Sequence, residues 1–173
     1  LISSALYLFF ITLRDFFNKG FKNLAQNTAH FGFSLLILSI LFNNLFSTEI
    51  ITNLKVGETF ENAKAKIVFE SINQKKKKNY NSIVAKFTVE DYDGKSVNLS
   101  PELRIYNQPN IATSEADIKT TLLSDKFIVI NVVQNQEFFN VRYQVKPFML
   151  WIWISVILIS AGGLISFLKE YEK

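Results

Sequence analysis

Two uncharged apolar runs bracket the polar middle of this chain and leave it few ways to fold. The first extends from about Leu24 to Phe46 and the second from Pro147 to Leu168, and neither holds an Asp, Glu, Lys or Arg. A bilayer core takes roughly 20 apolar residues of helix, so each run is long enough to span one. The 173 residues are 49% hydrophobic with a mean hydropathy of +0.15. That apolar content gathers at the two ends, as in a small protein that is part membrane and part aqueous.

A third apolar stretch, Leu1 to Leu13, is too short to span and reads as the end of a helix whose beginning lies outside the chain. It has no basic n-region and no small-residue cleavage site, so a signal peptide is not expected. Arg14, Lys19 and Lys22 follow it, with Gly20 as a breaker, and Lys169 and Lys173 follow the last run. By the positive-inside rule both basic flanks face the cytoplasm, which places residues 48–146 on the opposite side as a periplasm-type domain. The expected organisation is therefore a truncated transmembrane or interfacial helix and cytoplasmic loop over 1–22, and a transmembrane helix over 23–47. A periplasmic domain over 48–146, a second span over 147–168 and a cytoplasmic tail over 169–173 complete it. Pro147 suits the first turn of the last helix, where its missing N–H is not needed. Trp151 and Trp153 suit an interfacial belt.

The middle domain has the patterning of an antiparallel sandwich or barrel. Lys66–Ile72 and Ile83–Val89 read as strands around Lys75-Lys76-Lys77-Lys78, a solvated hairpin tip. Asp93-Gly94 is a tight-turn pair leading back into Ser96–Leu99. Arg104–Tyr106 reads as short and irregular, Phe127–Val133 as a continuously buried strand, and Phe139–Val145 as an alternating strand that runs into the last span. With no cysteine in the chain, this domain folds on its apolar core alone, and thiolate chemistry is excluded.

His30 is the only histidine, and it lies within the first apolar run. Ionisable side chains at membrane depth are costly and mark functional sites, and imidazole is an axial ligand for haem iron. On a helix Gln26, His30 and Ser34 fall at i, i+4 and i+8, beside a small-residue stripe of Ala25, Ala29 and Gly32 that lets another helix approach. Three readings of His30 follow from position: an interfacial side chain bonded to water and headgroups, a metal or haem ligand, or part of a proton relay.

Elsewhere, Glu115 and Asp117 could form a carboxylate pair or weak metal site. Thr113 or Ser114 capping a helix, with acidic residues in its first turn, is the simpler reading. No phosphate loop, serine elbow or zinc-ligand spacing is present. The net charge of +4 is scattered rather than gathered, which excludes a nucleic-acid footprint.

Four segments, in order, resemble the CcmF family of cytochrome c-type biogenesis proteins, in its C-terminal portion. Ala29-His30-Phe31-Gly32-Phe33 is similar to the family's "AHxG" transmembrane-histidine helix. Thr113-Ser114-Glu115-Ala116-Asp117-Ile118 is similar to its "TEAAI" element, with Asp117 in place of the second Ala. Arg142-Tyr143-Gln144-Val145-Lys146-Pro147 with Trp151-Ile152-Trp153 resembles its "R-x-Y-x-K-P" approach and "W-I-W" opening of the last span. Ala161-Gly162-Gly163-Leu164 resembles its "GGL" segment.

The resemblance implies a polytopic haem lyase subunit that takes part in covalent attachment of haem to apocytochrome c. It implies that His30 supplies one axial nitrogen to a transmembrane b-type haem, with the second ligand outside this chain. Implied partners are apocytochrome c, other cytochrome c maturation subunits and membrane lipid, in the bacterial inner membrane or the mitochondrial inner membrane. The tryptophan-rich haem-handling segment and its flanking histidines are absent here, so these residues alone are not expected to catalyse, and the middle domain is expected to dock partners. The rival is a non-enzymatic, membrane-anchored β-domain that scaffolds an assembly, with His30 purely structural.

Overall fold

The structure is a computed structural model that describes residues 2–19, 23–91, 94, 96–132 and 138–171. Leu1, Gly20, Lys22, Asp93, Val133 and Lys173, which figure in the sequence reading, lie outside the described residues. The chain divides into two compact units, one of helices and one of strands.

The helical unit contains α1 (Ile2–Lys19), α2 (Leu24–Phe46) and α3 (Met149–Tyr171). The last two are long and apolar enough to cross a membrane. Helix α1 runs on through Arg14 and Asp15 to Lys19, further than its apolar stretch suggested. Its Thr12 is buried, and the Thr12 hydroxyl shares a 2.6 Å hydrogen bond with the Ser34 hydroxyl of α2. The Ala25/Ala29/Gly32 stripe of α2 meets α3, where Leu158 and Ile159 close on Gly32. The glycine lets the two backbones approach, as small residues do between helices in lipid.

Pro147 does not occupy the first helical turn. It ends a strand, and its carbonyl accepts a 2.7 Å hydrogen bond from Asn43 Nδ2. Phe148 then turns left-handed with φ +59° before α3 begins at Met149. That conformation costs roughly 1–2 kcal/mol for a residue with a side chain. Hydrogen bonds on both sides hold it: Phe148 N–H donates to Leu123 O at 2.8 Å, and its carbonyl accepts from the N–H groups of Trp151 and Ile152. Trp151 Nε1 donates to Leu122 O at 2.8 Å, while Trp153 is exposed.

The strand unit is an antiparallel sandwich. One sheet has the order β1-β10-β9-β8, from β1 (Thr48–Leu54), β8 (Asp117–Thr120), β9 (Ser124–Val132) and β10 (Phe139–Pro147). The other has the order β2-β3-β4-β6-β7, with β5 also paired to β4. Its strands are β2 (Thr59–Glu61), β3 (Ala65–Lys76), β4 (Tyr80–Asp91), β5 (Ser96–Leu99), β6 (Glu102–Tyr106) and β7 (Ala112–Glu115). Period-two alternation sends Ile67 and Phe69 of β3 inward opposite Val89 and Phe87 of β4. The Phe69 and Phe87 rings stack at 4.4 Å, and Phe69 meets Phe139 of the facing sheet edge-on at 5.6 Å. Ile50, Leu54, Ile128, Ile130 and Val141 complete the core from the β1-β10-β9 side.

A bulge interrupts β3. Phe69 pairs with Phe87 and Ser71 with Lys86, so Glu70 has no partner of its own in the ladder. The lysine run forms the exposed end of the β3–β4 hairpin, closed by Lys77 N–H donating to Tyr80 O at 2.9 Å. Gly94, at φ +73°, donates its N–H to Asp91 O where β4 turns toward β5.

Three further sequence expectations are corrected. Thr113–Ile118 is not a helix start: Thr113 and Ser114 pair with Arg104 and Leu103 in the β6–β7 ladder, and Asp117 opens β8. Arg104–Tyr106 belongs to a regular strand, held by β4 on one side and β7 on the other. Among the described residues of that segment, Phe127–Val132, only Ile128 and Ile130 are fully buried, because β9 presents alternate residues to the core.

Candidate functional site

Helix α2 holds His30 on a turn where the surrounding polar residues divide between two directions. A residue step on an α-helix is about 100°, so an i, i+4, i+8 row drifts by about 80° from end to end. Gln26 and His30 are therefore exposed, whereas Ser34 is fully buried against Thr12 of α1. The structure brings Gln26 and His30 together and leaves Ser34 out.

Gln26 and His30 line one cavity of about 210 Å3 with Thr12, Asp15, Asn23 and Asn27. Two interhelical contacts bracket it. Thr12 meets Ser34 one turn beyond His30, and Asn27 Nδ2 reaches the Asp15 carbonyl at 3.5 Å one turn before it. The Asp15 carboxylate lies 3.8 Å from Arg14 Nη2. Asp15 and Asn27 escaped the sequence reading. The i, i+3 pair Thr12 and Asp15, polar positions on an otherwise apolar helix face, was the available signal.

A larger recess of about 630 Å3 lies where the glycines of α3 meet α2, lined by Ala25, Ala29, Gly162, Gly163, Ser166 and Lys169 among others. Asn23, Leu24, Gln26 and Ile165 complete its lining.

Glu102, Glu115 and Asp117 of the sandwich have structural partners, whereas Asp125 Oδ1 is buried without a hydrogen-bond partner. Arg104 donates from Nε and Nη2 to Glu102 at 3.1 and 2.9 Å and approaches Glu115 at 3.5 Å. The Ser82 hydroxyl, and after it Arg104, hold the Glu102 carboxyl below the usual carboxylate range against the opposing effect of burial. Glu102 and Glu115 in turn raise the Arg104 guanidinium. Asp117 accepts the Ser100 N–H at 2.5 Å. Among the described residues no group of three or more His, Cys, Asp or Glu is placed to hold a metal ion.

Two apolar helices of bilayer length, bracketing in sequence an antiparallel two-sheet sandwich and carrying one imidazole, define a helix-anchored β-sandwich protein. The family model described as "CcmF C-terminal beta-sandwich" matches residues 45–147. The chain belongs to the CcmF family. It is 26% identical to the cytochrome c-type biogenesis protein CcmF of Haemophilus influenzae over 159 residues, covering 89% of this chain and 24% of that protein. It is 31% identical to the cytochrome c-type biogenesis protein ccl1 of Rhodobacter capsulatus over 135 residues, covering 78% of this chain and 21% of the other. The solved structure of a cytochrome c heme lyase CcmF shares the fold, with a TM-score of 0.61 at 19% identity, covering 81% of this chain and 23% of that one. The chain thus spans about a quarter of the length of the curated relatives it matches.

Proposed function

We propose that this chain acts as the C-terminal part of a cytochrome c haem lyase subunit, in which His30 gives one axial nitrogen to a b-type haem held within the membrane. The observation that carries the proposal is the exposed imidazole of His30, the one ionisable side chain on a membrane-length helix. A charge-capable group there is costly unless it is used, and a neutral imidazole supplies the nitrogen that haem iron takes. The residues fit the group: α1 and α3 bury Asn27, Thr28, Gly32 and Ser34 of α2 but leave His30 exposed. The second axial ligand comes from outside this chain. The haem supplies the redox chemistry, and this chain supplies a ligand, a helical frame and a surface.

The basic flanks support an orientation with the helix ends near Arg14, Lys22 and Lys169 in the cytoplasm and the sandwich in the periplasm. There the sandwich docks apocytochrome c or other maturation subunits. Glu102, Glu115 and Asp117 are engaged in holding strands together, which fits docking better than catalysis. A proton relay through Gln26, His30 and Ser34 loses support, because Ser34 faces Thr12 rather than the cavity.

The test is a reduced-minus-oxidised absorption spectrum of the full-length protein in detergent, wild type against His30→Ala. Loss or a strong shift of a b-type signal in the variant supports axial ligation. An unchanged spectrum, or a folded wild type without haem, removes it and leaves the non-enzymatic scaffold reading ahead.

A further inference from the structure

We infer that Leu122 and Leu123, the tip of the turn between β8 and β9, insert into the lipid interface at the membrane face where α2 ends and α3 begins. The inference rests on α2 and α3 spanning a bilayer and is independent of the role of His30.

Turn chemistry does not account for the two leucines. Tips of tight hairpins ordinarily carry Gly, Asn or Asp, which suit the turn backbone and face water. Thr121 and Ser124 close this turn without help from the tip. The Thr121 N–H and hydroxyl both donate to Ser124 O, at 3.0 and 2.7 Å, and Ser124 N–H donates to the Thr121 hydroxyl at 3.1 Å. Leu122 and Leu123 are 70% and 67% exposed, as open as Ile157 on the apolar length of α3 at 67%.

The start of α3 fixes where the tip lies. Residues 121–125 belong to the same compact unit as the three helices. Trp151 Nε1 donates to Leu122 O and Phe148 N–H donates to Leu123 O, each at 2.8 Å. Both donors sit at one end of a helix of bilayer length. The end of α2 is tied to the same place: Asn43 Nδ2 reaches Pro147 O at 2.7 Å, and the Phe42 and Phe148 rings lie 5.2 Å apart. The turn is thus held level with Trp151, an aromatic residue at the depth of an interfacial belt.

The same two bonds make the depth tolerable. Backbone polar groups near hydrocarbon need partners within the protein, and both leucine carbonyls have one. What remains outward is a pair of apolar side chains at the headgroup boundary, the arrangement by which amphipathic segments hold to a membrane surface. In the proposed orientation this is the periplasmic leaflet.

The experiment measures nitroxide accessibility in the full-length protein, reconstituted into vesicles of phosphatidylethanolamine and phosphatidylglycerol. This chain has no cysteine, so Leu122→Cys and Leu123→Cys each give one labelling site here, with cysteines elsewhere in the protein replaced by serine. Ile157→Cys on α3 and Lys77→Cys at the exposed end of the β3–β4 hairpin are the references. Oxygen, which concentrates in lipid, should relax the labels at 122 and 123 more than a water-soluble nickel chelate does. Their oxygen-to-nickel ratio should exceed that at 77 several-fold, and either position suffices where the other variant does not accumulate. A ratio equal to that at 77 would place the tip in water and overturn the inference. Shielding from both reagents would overturn it too, by showing that protein covers the leucines. Free access of nickel at 157 would instead overturn the spanning of α3, so the two failures are told apart.

Discussion

Gly162 of α3 lies against Ala29 of α2 with no room for a side chain: a Cβ at Gly162 would fall 2.7 Å from Ala29 N and 2.8 Å from Ala29 Cβ. The Ala25 carbonyl is equally close, at 2.7 Å. These are backbone atoms of a helix and cannot swing aside, so Gly162→Ala must push the two helices apart. The expected cost is about 1–3 kcal/mol, the usual range for overpacking. Gly163, next in sequence, has nothing within 4 Å of the same construction, so Gly163→Ala should leave stability nearly unchanged. Thermal unfolding of the two variants in detergent makes the comparison, and equal losses would contradict the close seam.

Ser34→Ala separates the structural hydroxyls of α2 from the cavity at His30. The change removes the 2.6 Å bond to Thr12, whose hydroxyl keeps the Leu8 and Phe9 carbonyls as acceptors. Stability should fall by about 0.5–1.5 kcal/mol, the net worth of a typical hydrogen bond. Any spectrum that depends on His30 should not move. A spectral change as large as that of His30→Ala would return Ser34 to the site.

Asp91, Lys126 and Tyr143 clasp the two sheets of the sandwich. Lys126 Nζ pairs with Asp91, and the Tyr143 hydroxyl donates to Asp91 Oδ1 at 2.8 Å. The ion pair is largely buried, with side-chain exposures of 12% for Lys126 and 15% for Asp91. Asp91→Ala should cost about 3–5 kcal/mol, because it strands a buried ammonium. Tyr143→Phe should cost about 1 kcal/mol. Adding Lys126→Met to Asp91→Ala should recover part of the loss, and a double-mutant cycle by thermal unfolding reads the coupling.

Glu102 gives the sandwich a predictable response to acid. Its folded carboxyl titrates below its ordinary value, chiefly through Ser82 and then Arg104. The folded state thus holds its proton less tightly than the unfolded chain. The associated stability is complete above the unfolded value and disappears as pH falls through the folded one. Unfolding of wild type and Glu102→Gln should differ most at neutral pH and converge in acid. A gap that widens on acidification would reverse the sign and the assignment.

The two long helices and the β3–β4 hairpin were legible because their periodicities are strong: an uncharged run in one case, alternation in the other. Thr113–Ile118 was misread because Thr, Ser, Glu and Asp serve a helix cap and a polar strand equally well. What decides between them is Arg104, which lies beside Glu102 on β6 and meets Glu115 on β7, a long-range pairing that local spacing does not contain. The position of His30 on a helix was plain, but its cavity was not. Two of its six lining residues, Thr12 and Asp15, come from α1, and only helix packing brings them beside it.

The bulge in β3 has a consequence best put as a question of reading frame. Core positions on β4 keep strict phase at Val89, Phe87 and Ala85, while their partners on β3 are Ile67, Phe69 and Ile72, one step out. Glu70 is the extra letter that absorbs the slip. Deleting it would leave every later pair of the hairpin matched and would remove only its own contact with the Thr88 hydroxyl. Deleting a neighbour such as Val68 would throw the preceding segment out of phase and turn Ile67 toward solvent. In a strand otherwise intolerant of length changes, tolerance is concentrated at a single residue.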